Sequence, residues 1–149
     1  MTSVSIEVER PAAEVFSYAT DPSRFHEWQQ GVVGGSMVSK GPPTIGDHCL
    51  TTRRIGGAER PATSELVTLD APHAWAVRGI DGPIRAAVDV SVEPLTAQRS
   101  RLTIAVDFDG HGIGRILVPL VVRRQARAEM PHNIARLKER IETPPTRSS

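Results

Sequence analysis

The stretch from Gly112 to Glu142, GIGRILVPLVVRRQARAEMPHNIARLKERIE, constrains this chain more than any other. Continuous as a helix, it would be roughly 45 Å long at about 1.5 Å per residue, as long as a protein of this size is wide. The residues before it read as strands and two short helices. A long helix that follows an antiparallel sheet must lie across the sheet to bury its apolar stripe. Pro119 suits a first turn. Pro131 is interior, where a proline costs on the order of 3 kcal/mol and predicts a bend. Beyond Pro131, Ile134, Leu137 and Ile141 form a narrow stripe. Before it, Leu117, Leu120, Val121 and Ala128 do so, with Arg124 inside that arc. Projecting the later stripe backwards instead puts Arg123 and Arg127 on the buried face. Either phase leaves at least one arginine where a plain core helix has leucine.

Upstream, Val4, Ile6 and Val8 alternate with Ser5, Glu7 and Glu9, the period-two mark of a half-buried strand. Arg10-Pro11 ends it, and Ala12, Val15, Phe16 and Ala19 at helical spacing predict a short amphipathic helix. Asp21-Pro22-Ser23 breaks that helix, and Ser23 can cap a second one running through Trp28. Glycine, proline and aspartate clusters then divide the chain into strands at about Ser36–Ser39, Asp47–Ile55, Pro61–Leu69 and His73–Ile80. Gly56-Gly57 suits the hairpin turn between the second and third of these. Val88, Val90 and Val92, and after them Leu102, Ile104, Val106 and Phe108, alternate with polar or small residues. These are the clearest strands, one face apolar and one wet.

At 149 residues the chain is long enough to bury roughly 68–70% of its unfolded surface without staples. A net charge of +1, from 18 Lys and Arg against 17 Asp and Glu, gives no global field for nucleic acid or an anionic membrane. The single cysteine, Cys49, cannot form an internal disulfide and reads as a small buried hydrophobe. The first residues, MTSVSIEVERP, have neither a basic nor an apolar leader segment. The longest strongly apolar run, Ile116 to Val122, falls far short of the ~20 residues of a membrane span. The expectation is a soluble, cytoplasmic protein with one domain over residues 3–142 and a disordered tail over 143–149. There is no phosphate-binding glycine loop, HExxH or GxSxG motif, and the scattered histidines form no metal-ligand set. Nothing requires a cofactor.

The order of elements resembles the START-like, or SRPBCC, superfamily, and within it the polyketide cyclase/dehydrase group. The residues that carry the resemblance are SIEVERPAAEVFSYATDPSRFHEW at the front, the Asp70 to Trp75 turn, DGPIRAAVDVSVEPL, RLTIAVDFDGHGIGRILVPLV and the closing PHNIARLKERIE. The resemblance implies an α+β helix-grip fold. A curved antiparallel sheet of about seven strands wraps a long C-terminal helix, two short helices follow the first strand, and an apolar cavity lies between sheet and helix. Its relatives bind hydrophobic or amphipathic small molecules, and some cyclise polyketides.

Within such a cavity, Arg123, Arg124 and Arg127 can bind a carboxylate or polarise a carbonyl, because a guanidinium stays charged and offers a fork of donors. Their plain alternative is to snorkel, stems on apolar surface and heads in water. His48, if it faces inward, can act as an acid or base near neutral pH; otherwise it is a surface histidine. Trp28 and Trp75 either line a mouth and stack on a flat ligand or simply pack the core. Arg78 and Leu120 complete the candidate set, Arg78 with no clear facing. The function expected is binding of a hydrophobic or amphipathic small molecule, with polyketide cyclase/dehydrase-like activity if the protein is an enzyme. Two alternatives stand beside it: a non-catalytic carrier or sensor of a lipid or hydrophobic metabolite, and an interaction module whose cavity is filled by side chains. Two or more ionisable groups converging in the cavity favour the enzyme, and an all-apolar lining favours the carrier.

Overall fold

A computed structural model of the chain describes residues 2–55 and 57–143. Gly56 of the expected hairpin turn, and all but Thr143 of the tail expected to be disordered, lie outside the described residues. The first strand, β1 (Thr2–Val8), leads through Pro11 into α1 (Ala12–Ala19), which buries the expected Ala12, Val15, Phe16 and Ala19. A 3-10 turn (Pro22–Arg24) then runs into α2 (Phe25–Trp28). The cap here is Asp21 rather than Ser23: its carboxylate accepts the Ser23 backbone N–H at 3.0 Å. Pro22 takes the first helical position, where a missing N–H costs nothing, so the capping role falls one residue before it.

Six further strands follow: β2 (Val32–Met37), β3 (His48–Ile55), β4 (Ala58–Asp70), β5 (Ala74–Gly79), β6 (Ile84–Thr96) and β7 (Arg99–Gly110). They form one seven-stranded antiparallel sheet with β1, in the order β1-β7-β6-β5-β4-β3-β2. The long β6–β7 hairpin brings β7 back beside β1, so the first and last strands of the chain pair at one side of the sheet. β2 begins before the glycines that seemed to punctuate the sequence ahead of it. Gly35 sits inside the strand because a Cβ there would lie 2.8 Å from the Pro22 carbonyl oxygen, a close approach of backbones that only glycine permits.

The C-terminal segment is helical from Gly114 to Glu142 in three pieces: α3 (Gly114–Leu117), a π turn (Val118–Val122) and α4 (Arg123–Glu142). In the π turn the Arg123 N–H reaches back five residues to the Val118 carbonyl. Pro119 lies in this turn, where its missing N–H already interrupts the α ladder. Helix α4 runs on through Pro131. That residue is on the exposed side, where water can satisfy the carbonyl it leaves unpaired.

On the concave face of the sheet, Met130, Ile134 and Leu137 of α4 pack into one core with Val8, Leu66, Val90, Val92, Leu102 and the buried residues of α1 and α2. Leu137 and Leu102 are fully buried, each worth about 1.5–3 kcal/mol relative to exposure. Polar ties fix the helix end to the sheet edge. Lys138 donates to the Glu7 carbonyl at 2.8 Å, the Glu9 N–H donates to the Glu142 carboxylate at 2.7 Å, and Arg10 donates to the Glu142 carbonyl at 2.7 Å.

Candidate ligand-binding site

Toward the other end of α4, helix and sheet do not close on one another. They leave a cavity of about 140 Å³, comparable to the ~150 Å³ engineered cavity that admits benzene. A filled interior, one of the three expectations, is therefore not what the chain builds. The apolar wall comes from alternate strand residues, including Trp75 and Val77 of β5, Val88 and Val90 of β6, and Ile104 and Val106 of β7. The helix contributes Val122, Ala126, Met130 and Ile134. Phe25 joins the two tryptophans of the wall, edge-on to Trp28 at 5.9 Å and to Trp75 at 6.3 Å between ring centroids. Trp28 Nε1 is buried with no hydrogen-bond partner among the described residues, a donor left unsatisfied in that wall.

One end of the cavity is polar. In β3 the residues of odd number, Cys49, Thr51 and Arg53, face inward and line it. Arg53 donates from Nη1 to Gln29 Oε1 at 3.1 Å, and no other hydrogen bond holds its guanidinium among the described residues. Burial pushes the guanidinium pKa down, partly countered by Cys49 and Glu129. Burial likewise pushes the Cys49 thiol up, against Thr51 and Arg53, so the thiol is held in its unreactive form. Glu129 lines the same end from α4, its Oε1 accepting from Gln125 Nε2 at 3.1 Å. The exposed residues of the lining are Arg54 and Pro61, near the turn of the β3–β4 hairpin, and the way out passes them. There Gln125 Nε2 reaches the Arg54 carbonyl at 3.4 Å. Arg53, Arg54 and Arg60 against Glu129 make the charged part of the lining predominantly positive.

Of the candidate site residues singled out in the sequence, Trp28 and Trp75 line this cavity and six do not. His48 does not face inward: it is exposed, 3.9 Å from Glu65, because β3 turns its even-numbered residues outward. Arg78 lies on the outer face of the sheet and pairs with Asp89 at 3.0 Å. Leu120, Arg124 and Arg127 point to solvent. Arg123 is exposed as well and donates to the Phe108 carbonyl at 3.0 Å. Neither helical projection found the cavity face, because both step at the α period of about 3.6 while the inward positions step by four. The buried or lining positions Gly114, Val118, Val122, Ala126, Met130 and Ile134 recur every four residues. At 3.6 residues per turn that spacing drifts about 40° per step, and the π turn takes up part of the drift. Arg53, Glu129, Gln29 and Thr51 were missed.

A family model described as polyketide cyclase / dehydrase and lipid transport matches residues 2–142. The chain belongs to this family. Among solved structures it is similar to a START superfamily protein from Mycobacterium smegmatis, with a TM-score of 0.76, 16% identity and coverage of 95% of this chain and 96% of the other. It is similar to the Zhui aromatase/cyclase from Streptomyces sp. R1128, with a TM-score of 0.73, 16% identity, and 95% and 92% coverage. It also resembles the di-domain ARO/CYC BexL from the BE-7585A biosynthetic pathway, with a TM-score of 0.69, 18% identity and coverage of 95% of this chain. The chain spans about half of BexL, 46% of its length. At these identities the likenesses show the fold. No curated protein matches the chain. The fold is the helix-grip architecture of the START-like superfamily, with the cavity for hydrophobic ligands typical of it.

Proposed function

We propose that the cavity binds a small amphipathic molecule whose apolar body lies against Trp28, Phe25 and Trp75 and whose carbonyl, enolate or carboxylate oxygen docks on Arg53. The observation that carries this reading is the Arg53 guanidinium itself, half-buried at the polar end of the cavity with Gln29 as its one hydrogen-bond partner among the described residues. A partly desolvated cation with free donors is costly, and a ligand oxygen offsets that cost. The volume encloses one ring or a short chain, and a second fused ring or a longer chain extends past Arg54 and Pro61 to solvent.

Arg53 and Glu129 together supply what a cyclase/dehydrase-like reaction needs. The Glu129 carboxylate can take the proton from a carbon between two carbonyls, and the resulting carbanion forms a bond to another carbonyl carbon of the same molecule. The electron pair displaced onto that oxygen is stabilised by Arg53 and takes the proton back from Glu129. Loss of a second such proton with departure of the hydroxyl as water leaves a carbon–carbon double bond. No oxidant or cofactor enters this balance. A carrier of a hydrophobic metabolite is the second reading, favoured by the predominance of aliphatic and aromatic side chains in the lining.

Calorimetric titration with 2-naphthoate and 2-methylnaphthalene tests the binding mode. The expected result is an affinity about tenfold higher for the carboxylate, an advantage that disappears in Arg53→Met. Equal affinity for the two in the unmodified protein would remove Arg53 from the site. With a poly-β-ketone substrate, Glu129→Gln should bind normally and lose turnover. Tight binding without turnover in the unmodified protein would leave the carrier reading standing.

A further inference from the structure

On the outer side of the first helical turns, the apolar residues point the wrong way for a core. Ile113, Ile116 and Leu120 are 60%, 62% and 63% exposed. The buried positions of the same turns are Gly114, Val118 and Val122, two residues out of step and so on the opposite side of the helix. Val118 and Val122 close against Ile84 and Phe108 of the sheet, so the inner face is fully used and the outer one is an additional apolar surface. Pro119 is exposed beside it.

The charges on the turns that carry this ridge have one sign, the nearest carboxylates, Asp107 and Asp109, being engaged with Arg123 and His111. From Gly110 to Ala128 the sequence carries Arg115, Arg123, Arg124 and Arg127 and no acidic residue. Arg115, Arg124 and Arg127 are exposed and make no hydrogen bond or ion pair among the described residues. Arg124 follows Ile116 and Leu120 at intervals of four, on the same side of the helix. The chain as a whole is nearly neutral at +1, so this positive field is local.

We propose that Ile113, Ile116 and Leu120 dock the protein on the surface of an anionic phospholipid bilayer, with Arg115, Arg124 and Arg127 on the headgroup phosphates. Bulky apolar side chains within a rim of arginines suit the boundary between headgroups and acyl chains, and arginine forks match phosphate geometry. A second copy of the chain is a poor occupant. A two-fold pairing through this ridge would set the arginines of one copy against the same arginines of the other. Among the described residues no helix is long and apolar enough to cross a membrane, and the attachment proposed is peripheral. Docking does not depend on the ligand-binding reading above, since it uses the opposite face of the helix.

The test is co-flotation of the whole protein with vesicles of phosphatidylcholine alone and with about one third phosphatidylglycerol, at low and high salt. Binding is expected to the anionic vesicles only and to weaken with salt. Arg124→Gln should reduce it about fivefold, and Leu120→Ser about tenfold. Both side chains are solvent-exposed, and unchanged thermal melting verifies that the variants fold. No binding to anionic vesicles would overturn the proposal, as would binding that neither substitution weakens. A concentration-dependent dimer abolished by Leu120→Ser would also overturn it, by assigning the ridge to a second copy.

Discussion

Arg53 of β3 and Gln29, just beyond α2, meet inside the cavity, Nη1 to Oε1 at 3.1 Å. The bond joins the sheet to the short helical segment that covers it, but it pairs a charge with a neutral amide. A desolvated guanidinium held this way contributes little to folding, because the loss of hydration offsets what one hydrogen bond returns.

Arg53→Met should therefore leave stability unchanged or raise it by about 1 kcal/mol, since a similar apolar volume replaces a desolvated charge. Urea denaturation checks this. A loss beyond about 2 kcal/mol would show that Arg53 holds the fold together rather than waiting for a ligand.

Ala86 of β6 also lines the cavity. Ala86→Leu places three further carbons in the empty space. At about 0.8 kcal/mol per buried methylene, less the rotamer entropy of leucine, it should stabilise the protein by about 1 kcal/mol. Binding of 2-naphthoate should fall at least tenfold in the same variant. A rise in melting temperature with undiminished binding would locate the ligand elsewhere.

The parts legible in the sequence are those where one face of an element is apolar and the other is not. Val88 to Val92 and Leu102 to Phe108 alternate clearly, and the structure turns Val90, Val92, Leu102 and Ile104 into the core. The tryptophans, too, fall where large apolar side chains must be enclosed. β3 is different: HCLTTRRI has polar residues in both phases, so its sequence carries no parity. The parity comes from pairing with β4, where Cys49 lies opposite Ser64 and Arg53 opposite Arg60. That is a long-range property, so the local pattern offers His48 as a candidate and leaves Arg53 unremarked. The helix misled for another reason. Its inward positions step by four residues, so a projection at constant period carries Arg124 and Arg127 toward a face they do not occupy, and the π turn at Val118–Val122 shifts the phase only upstream of them.

The entry to that helix offers a backbone test. A Cβ on Gly114 would overlap the Pro83 carbonyl, and neither backbone can yield without parting α3 from the β5–β6 connection. Gly114→Ala should cost about 2–3 kcal/mol, visible as a lower melting temperature. An unchanged melting temperature would mean that this turn is not packed as described.

Tyr18 is the only tyrosine in the chain, so the ultraviolet absorbance of phenolate reports on it alone. Burial, and then the hydrogen bond its hydroxyl donates to Glu27 Oε1 at 2.8 Å and the charge of that carboxylate, push its pKa up to about 12. The folded protein thus holds its proton more tightly than the unfolded chain, whose tyrosine titrates near about 10. The stability this contributes is fully present below about 10 and is lost as pH rises through the folded value. Spectrophotometric titration, with circular dichroism recording the folded state at each pH, should give a midpoint near 12. In Glu27→Gln the midpoint should fall only part of the way, because burial remains after the carboxylate is gone. A folded protein titrating near about 10 would mean that Tyr18 neither is buried nor bonds to Glu27, and that α1 and α2 do not pack together as they do here.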